Sequence, residues 1–311
     1  MTEPTTQVAA DRAAAHQGRS IFVSAPDGLR LHVREYAGRS KAIAVVCLPG
    51  LTRTTEDFIA LAPALACGNP TRHVIAIDSR GRGLSEYDPN PKNYSLAVEL
   101  ADVITVLTTL QIGSAVFFGS SRGGILTMLL AAAHPEMIAG AVLHDIGPVI
   151  ESDGVARIKS YVGKLREPRN LEEGADILRE LFGARFPKLT AEQWLTATRR
   201  TWNQRGGKQV LTYDPALSEA LADFNIEHPL PPLWKEFEGL ARVPVLVIRG
   251  ENSDILSTAT VAEMQARHPN LEALEVADQG HVPLLDDFDL INRISAFVRR
   301  CDDKARSLPV R

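Results

Sequence analysis

Ala115-Val116-Phe117-Phe118-Gly119-Ser120-Ser121-Arg122-Gly123-Gly124-Ile125-Leu126-Thr127-Met128-Leu129-Leu130 runs from one apolar stretch, through a serine bracketed by glycines, into another. The first stretch is short and rich in β-branched and aromatic side chains and predicts a buried strand; the second predicts a helix. Ser121 therefore falls where a strand turns sharply into a helix. A turn this tight holds its central residue in a strained backbone conformation with Oγ exposed, and only small neighbours two residues to either side avoid a collision. Gly119 and Gly123 are those neighbours. The N–H groups and dipole at the start of the helix also favour negative charge developing beside Ser121. Ser120 is not bracketed by the glycines and reads as structural or pocket-lining. A serine in a glycine-rich turn also has a plainer reading as a helix cap, so the rest of the chain has to decide.

Outward from this stretch, buried strands alternate with helices. Ile21 to Ser24 and Leu31 to Tyr36, separated by Pro26-Asp27-Gly28, predict an opening hairpin. Ala42 to Leu48, His73 to Asp78, Ala115 to Ser120, Ile138 to His144 and Val245 to Arg249 predict strands buried on both faces, and Leu274 to Ala277 a short last one. Helical patterns fall near Glu56 to Ala66, Ser95 to Leu110 and Gly124 to His134. The fold class is α/β, an eight-stranded, mostly parallel sheet flanked by helices. From 147 to 239 the strand rhythm gives way to amphipathic helical stretches punctuated by Pro168, Gly183, Pro187, Gly206-Gly207 and Pro229-Leu230-Pro231-Pro232. That segment predicts a helical cap inserted into a core of 20–146 and 240–311, after a flexible lead-in, 1–19. Trp194, Trp202 and Trp234 all lie in the insertion, where packing is the plainer reading.

The 311 residues include 34 Lys and Arg against 38 Asp and Glu, a formal charge of −4 without blocks of like charge. Nucleic acid and membrane are therefore not expected partners; a small-molecule substrate is, and oligomeric state is left open. Cys47, Cys67 and Cys301 are odd in number and widely spaced, against a disulfide framework or zinc cluster and for a reducing cytoplasm. The polar N-terminus lacks the apolar segment of a secretory signal, and no apolar run reaches the roughly 20 residues needed to span a bilayer. Gly81-Arg82-Gly83 lacks the third glycine of a dinucleotide fingerprint and the histidines lack metal-ligand spacing, so neither a nucleotide cofactor nor a metal is expected.

A serine hydroxyl needs a histidine to take its proton and a carboxylate to orient that histidine. Gly250-Glu251-Asn252-Ser253-Asp254 places Asp254 in the loop after a predicted strand, and Asp278-Gln279-Gly280-His281 places His281 in the loop before the last helix. Both are at strand C-terminal ends, where sites form in open α/β sheets. Glu251 and Asp145, at the end of the strand before the insertion, are rivals to Asp254; His144 is the lesser rival to His281.

The order Ser121, Asp254, His281 resembles the α/β-hydrolase family from about residue 20 to the end. Leu48-Pro49-Gly50-Leu51 stands where such enzymes usually carry a His-Gly oxyanion loop, with Pro49 in place of the histidine. Asp78-Ser79-Arg80-Gly81-Arg82-Gly83-Leu84-Ser85 resembles the family's Asp-x-Arg-Gly-x-Gly-x-Ser turn. The resemblance implies Ser121 as nucleophile, His281 as base and Asp254 as acid, with Asp145 the alternative because some relatives take their acid there. It also implies an oxyanion hole made by the Leu51 and Arg122 N–H groups. Arg53 and Arg122 are candidate binders of an anionic group, though a salt bridge is the commoner role. The implied activity is hydrolysis of an ester, thioester or lactone through an acyl-enzyme. Aspartate-dependent dehalogenases and epoxide hydrolases and cysteine-dependent dienelactone hydrolases are disfavoured by the serine. Carbon–carbon bond hydrolases and cofactor-free perhydrolases share the triad and stay open, as does a non-catalytic small-molecule-binding protein on the same fold.

Overall fold

In the computed structural model, residues 18–36, 42–227 and 230–307 are described. Eight strands form one sheet in the spatial order β1 (Arg19–Ser24), β2 (Arg30–Tyr36), β4 (Val74–Ile77), β3 (Ala44–Leu48), β5 (Ala115–Ser120), β6 (Ile138–His144), β9 (Val245–Gly250), β10 (Leu271–Val276). The opening hairpin pairs antiparallel, as does β2 with β4, and every later pairing is parallel. Every residue of β4, β5 and β9 is buried, which is why these strands read as unbroken apolar runs. Edge strand β10 reads Leu-Glu-Ala-Leu-Glu-Val, with Leu271, Leu274 and Val276 half-buried and Glu272, Ala273 and Glu275 exposed.

Alternate residues of each strand serve two cores. Val46, Leu48, Phe117 and Leu143 face the helices α2 (Leu96–Thr109) and α3 (Arg122–Ala133). Val45, Cys47, Phe118 and Val142 face α1 (Leu61–Ala66) and α9 (Phe288–Ser307). Strand β3 has β4 on one side and β5 on the other, so the connections leaving β3 and β5 part at the strands' C-terminal ends and open a crevice there. Parallel register brings Ser120 opposite His144, and His144 opposite Ile248, so the ends of β5, β6 and β9 share one rim.

Between β6 and β9 lie α4 (Ser152–Tyr161), α5 (Leu171–Phe182), α6 (Ala191–Thr201), a two-stranded ribbon of β7 (Trp202–Arg205) and β8 (Lys208–Leu211), and α7 (Trp234–Glu238). Helix α8 (Thr258–Arg267) follows β9. The ribbon departs from the purely helical expectation. Its strands carry no apolar alternation because most of their residues are exposed or half-buried, and Gly206 and Gly207, both at positive φ, make its two-residue turn. Trp194 and Trp202 pack in a small core with Ile177, Leu178 and Phe186, while Trp234 stacks under Arg267. Of the expected lead-in 1–19, residues 1–17 lie outside the described residues, and Arg19 already belongs to β1. Among the described residues no helix is long and apolar enough to cross a membrane.

Candidate active site

Ser121 joins β5 to α3 at φ 49° and ψ −115°. A non-glycine residue there costs on the order of 1–3 kcal/mol and persists only where its surroundings enforce it. They do: the Ser121 N–H donates to the His144 carbonyl at 2.9 Å, and the Ser121 carbonyl accepts from the Gly124 N–H at 2.9 Å. A Cβ on Gly119 would stand 2.5 Å from the Gly124 backbone, and one on Gly123 only 2.1 Å from the Leu48 carbonyl oxygen. The turn thus admits no side chain at either bracketing position.

Ser121 Oγ lies 2.7 Å from His281 Nε2, and His281 Nδ1 lies 2.8 Å from Asp145 Oδ2. A carboxylate only accepts, so Nδ1 carries the proton and Nε2 is free to accept from the serine hydroxyl. Asp145 is the first residue beyond β6, completely buried and at φ 55°. Its Oδ1 accepts from the Gly250 N–H at 2.7 Å and its Oδ2 from Ser253 Oγ at 2.6 Å. These donors hold the carboxylate in one orientation beneath the imidazole.

The carboxylate that the structure places at His281 Nδ1 is that of Asp145, the alternative, and Asp254, the acid expected from the sequence, is not brought to the histidine. Asp254 stands four residues beyond β9, and its carboxylate faces the insertion: Arg157 of α4 donates Nε at 2.5 Å and Nη2 at 2.7 Å, and Arg185 Nε lies 2.9 Å away. It is Ser253, one residue earlier, that turns inward to Asp145. Glu251, the other rival, accepts from the Asp278 N–H at 2.8 Å and so braces the histidine loop. Burial pushes the Asp254 carboxyl up, but the hydrogen bonds and charges of Arg157 and Arg185 outweigh it and hold it below its ordinary 3.8. A carboxyl depressed by folding stabilises the folded state above its unfolded pKa, and that stabilisation fades as pH falls through the lower, folded value. Asp254→Asn should therefore lower the thermal midpoint at pH 7, and the gap to the unsubstituted protein should narrow as melts are repeated toward pH 3. A gap independent of pH would refute the ion-pair origin.

Ser120 Oγ is bonded to His144 Nδ1 at 2.7 Å, and burial pushes His144 down to about 4, so it stays neutral at neutral pH. Neither Ser120 nor His144 takes part in the bonds from Ser121 through His281 to Asp145.

The Leu48-Pro49-Gly50-Leu51 loop passes directly over the serine: a Cβ on Gly50 would lie 3.5 Å from Ser121 Cβ. Among the described residues neither the Leu51 nor the Arg122 N–H donates a hydrogen bond. The Asp78–Ser85 turn anchors this region. Asp78 accepts from the backbone N–H groups of Thr55 at 2.7 Å and Leu84 at 3.1 Å, and Gly83, at φ 58°, is packed so closely that a Cβ would strike that carboxylate. Arg82 donates Nε to the Leu51 carbonyl at 2.7 Å and Nη1 to Glu99 at 2.7 Å, while Arg122 donates Nε to the other Glu99 oxygen at 2.6 Å. One buried carboxylate thus holds Arg122 directly and Leu51 through Arg82. Burial pushes Glu99 up, yet the two guanidinium groups hold it below the usual range.

Sequence reasoning missed Glu99, although a signal was present. Glu99 and Asp102 share the buried stripe of α2 with Val103, Val106 and Leu107, and a carboxylate on an apolar stripe calls for a buried cation. Asp102 meets Arg80 in the same way, at 2.7 Å. Glu99→Gln leaves two arginines undercompensated. It should cost about 3 kcal/mol of stability and lower kcat on the order of tenfold through a displaced Leu51, with KM less affected. Denaturant melts and ester kinetics check both; unchanged kcat would sever the link to Leu51.

A cavity of about 160 Å³ opens onto Ser121 and His281. Leu178, Phe182, Phe186 and Trp194 give it a largely apolar wall from the insertion, and Arg53, Asp57 and Arg200 also line it. Arg53 pairs with Asp57 at 2.7 and 2.5 Å, and Arg122 with Glu99, so both arginines considered from the sequence are held in salt bridges. Among the described residues no cluster of three His, Cys, Asp or Glu side chains is placed to hold a metal ion.

Parallel sheet, strained serine turn and histidine loop define an α/β hydrolase, and residues 45–294 match the model of the alpha/beta hydrolase family. The chain belongs to that family. It is 34% identical over 275 residues to a 3-hydroxybutyrate-oligomer hydrolase of Cupriavidus necator, a match covering 84% of this chain and 90% of that one. It is 24% identical over 254 residues to a 2-(acetamidomethylene)succinate hydrolase of Mesorhizobium japonicum, covering 81% of this chain and 85% of the other. The crystal structure of an alpha/beta hydrolase from Novosphingobium aromaticivorans superposes with a TM-score of 0.85 at 38% identity, covering 91% of this chain and 98% of that one. These relatives are hydrolases.

Proposed function

We propose that the protein is a serine hydrolase that cleaves a carboxylic ester through an acyl-enzyme, with Ser121 as nucleophile, His281 as base and Asp145, in place of Asp254, as the acid. The observation that carries this reading is the unbroken run of hydrogen bonds from Ser121 Oγ through both His281 nitrogens to Asp145, at 2.7 and 2.8 Å. Ser121 Oγ attacks the acyl carbon as His281 Nε2 takes its proton, and Asp145 stabilises the imidazolium that results. The unengaged N–H groups of Leu51 and Arg122 receive the oxyanion of the tetrahedral intermediate. Nε2 then returns the proton to the departing alkoxide, and water activated by the same nitrogen releases the acid.

An ester is favoured over a thioester, lactone or carbon–carbon bond by the 3-hydroxybutyrate-oligomer hydrolase, whose name describes hydroxy acids joined by ester bonds and which matches over most of both chains. Segment 147–239 acts in this reading as the cap that shapes the pocket, since Leu178, Phe182, Phe186 and Trp194 wall the cavity. The test is turnover of short-chain p-nitrophenyl esters by the wild type beside Ser121→Ala. Ser121-dependent turnover supports the enzyme; a wild type with no turnover and no labelling by a serine-directed phosphonate would instead make it a binding protein.

A further inference from the structure

The charges in the cavity do not balance. Arg53 and Asp57, four residues apart, satisfy each other. Arg200, in the last turn of α6, is different: it lines the cavity, is only partly exposed, and among the described residues its guanidinium makes no hydrogen bond or ion pair. Its backbone carbonyl accepts from Thr212 Oγ1 at 3.0 Å. Arg200 lines the same cavity as the Arg53–Asp57 pair, and its charge, with that of Arg53, helps hold the Asp57 carboxyl below its usual range against the effect of burial. His144, which also lines the cavity, is neutral at neutral pH and adds no charge. Among the residues lining the cavity, two guanidinium groups and one carboxylate leave one positive charge in excess, and the remaining walls are largely apolar, with Tyr161, Tyr213 and small hydroxyl side chains among their neutral polar groups.

A guanidinium partly withdrawn from water and left without a protein acceptor is incompletely compensated, and an anion that supplies two planar acceptor oxygens completes its hydrogen bonds. A neutral ester offers Arg200 nothing of the kind. A free carboxylate does, its two oxygens matching the planar fork of an arginine. We infer that Arg200 binds a free carboxylate on the substrate, so that the preferred substrates are esters which also carry an unesterified acid group. This specificity rests on the serine-hydrolase reading above and adds the chemical class of what is cleaved. The carboxylate end of a hydroxy-acid oligomer has that chemistry, with the scissile carbonyl further along the same chain.

The test compares two probes of nearly the same shape, of which only the first carries a charged group with two acceptor oxygens: the linear dimer of 3-hydroxybutyrate as its free acid, and the same dimer with the acid converted to a primary amide. Cleavage of the internal ester is followed by chromatography for wild type, Arg200→Gln and Arg200→Lys. In the wild type kcat/KM for the acid should exceed that for the amide on the order of 30-fold, the usual worth of a charge-assisted pair. Arg200→Gln should collapse that ratio to about threefold or less, chiefly through KM, and Arg200→Lys should retain an intermediate ratio, a rescue that a merely structural arginine would not show. Equal wild-type rates on acid and amide, or the same ratio in Arg200→Gln, would overturn the inference. Ser121-dependent cleavage of both probes without discrimination removes the carboxylate site alone; absence of Ser121-dependent cleavage of either removes the hydrolase reading. In that last case calorimetric titration with 3-hydroxybutyrate and its amide still decides, since only the acid should bind more weakly to Arg200→Gln, by about tenfold or more.

Discussion

Asp145→Asn should lower kcat on an ester substrate about 10⁴-fold, the loss typical when the acid of a serine triad becomes an amide, while Asp254→Asn should stay within about tenfold of wild type. The contrast follows from what each carboxylate touches. Asp145 accepts the Nδ1 proton of His281 at 2.8 Å. An asparagine there can turn its NH₂ group toward the ring, favouring the tautomer whose proton sits on Nε2 and faces the serine. The amide would also weaken the acceptor for the Gly250 N–H and Ser253 Oγ, both now held by Asp145. Asp254 instead joins the loop after β9 to Arg157 and Arg185 of the insertion. Its loss should loosen the insertion and raise KM before it affects the chemical step. Steady-state kinetics on the two purified variants, with circular dichroism to show that both are folded, make the comparison. Equal losses, or the larger loss at Asp254, would reassign the acid.

Ser121→Ala should reduce kcat by about 10⁶, to the residual rate supported by the pocket and the oxyanion N–H groups. The fold should survive, because both backbone groups that hold residue 121 in its turn, the N–H to the His144 carbonyl and the carbonyl to the Gly124 N–H, are untouched. Removing Oγ also takes away the partner of His281 Nε2. Ser120 should not substitute: its Oγ is buried and bonded to His144 Nδ1, a ring that burial keeps neutral and that lies outside the run of bonds to Asp145. Ester turnover by Ser121→Ala and by Ser120→Ala, run side by side, separates the two serines. Retained activity in Ser121→Ala would remove the nucleophile from the mechanism.

Strands such as β5 and β9 were legible in the sequence because they are buried on both faces and leave an unbroken apolar signature. The ribbon of β7 and β8 was not, since exposure on both sides leaves Asn203-Gln204-Arg205 and Lys208-Gln209 without alternation; only the Gly206-Gly207 turn announced it. The serine turn was legible for a steric reason, the absence of room at Gly119 and Gly123, that reduces to residue type and spacing. The choice between Asp145 and Asp254 was not. Both follow strands that end on the same rim, and what separates them is that Asp145 directly follows β6, the neighbour of β5, whereas Asp254 lies four residues past β9 within reach of Arg157. Arg200 was invisible for a related reason, because a cation's lack of a partner is a property of what surrounds it in space.

Labelling with a serine-directed fluorophosphonate, read by intact mass and peptide mapping, tests the proposed mechanism most directly. One adduct per chain on the peptide carrying Ser121 is expected, forming far more slowly in Asp145→Asn than in Asp254→Asn and absent from Ser121→Ala. An adduct on another residue, or ester turnover that continues after Ser121 is fully modified, would contradict a mechanism built on Ser121.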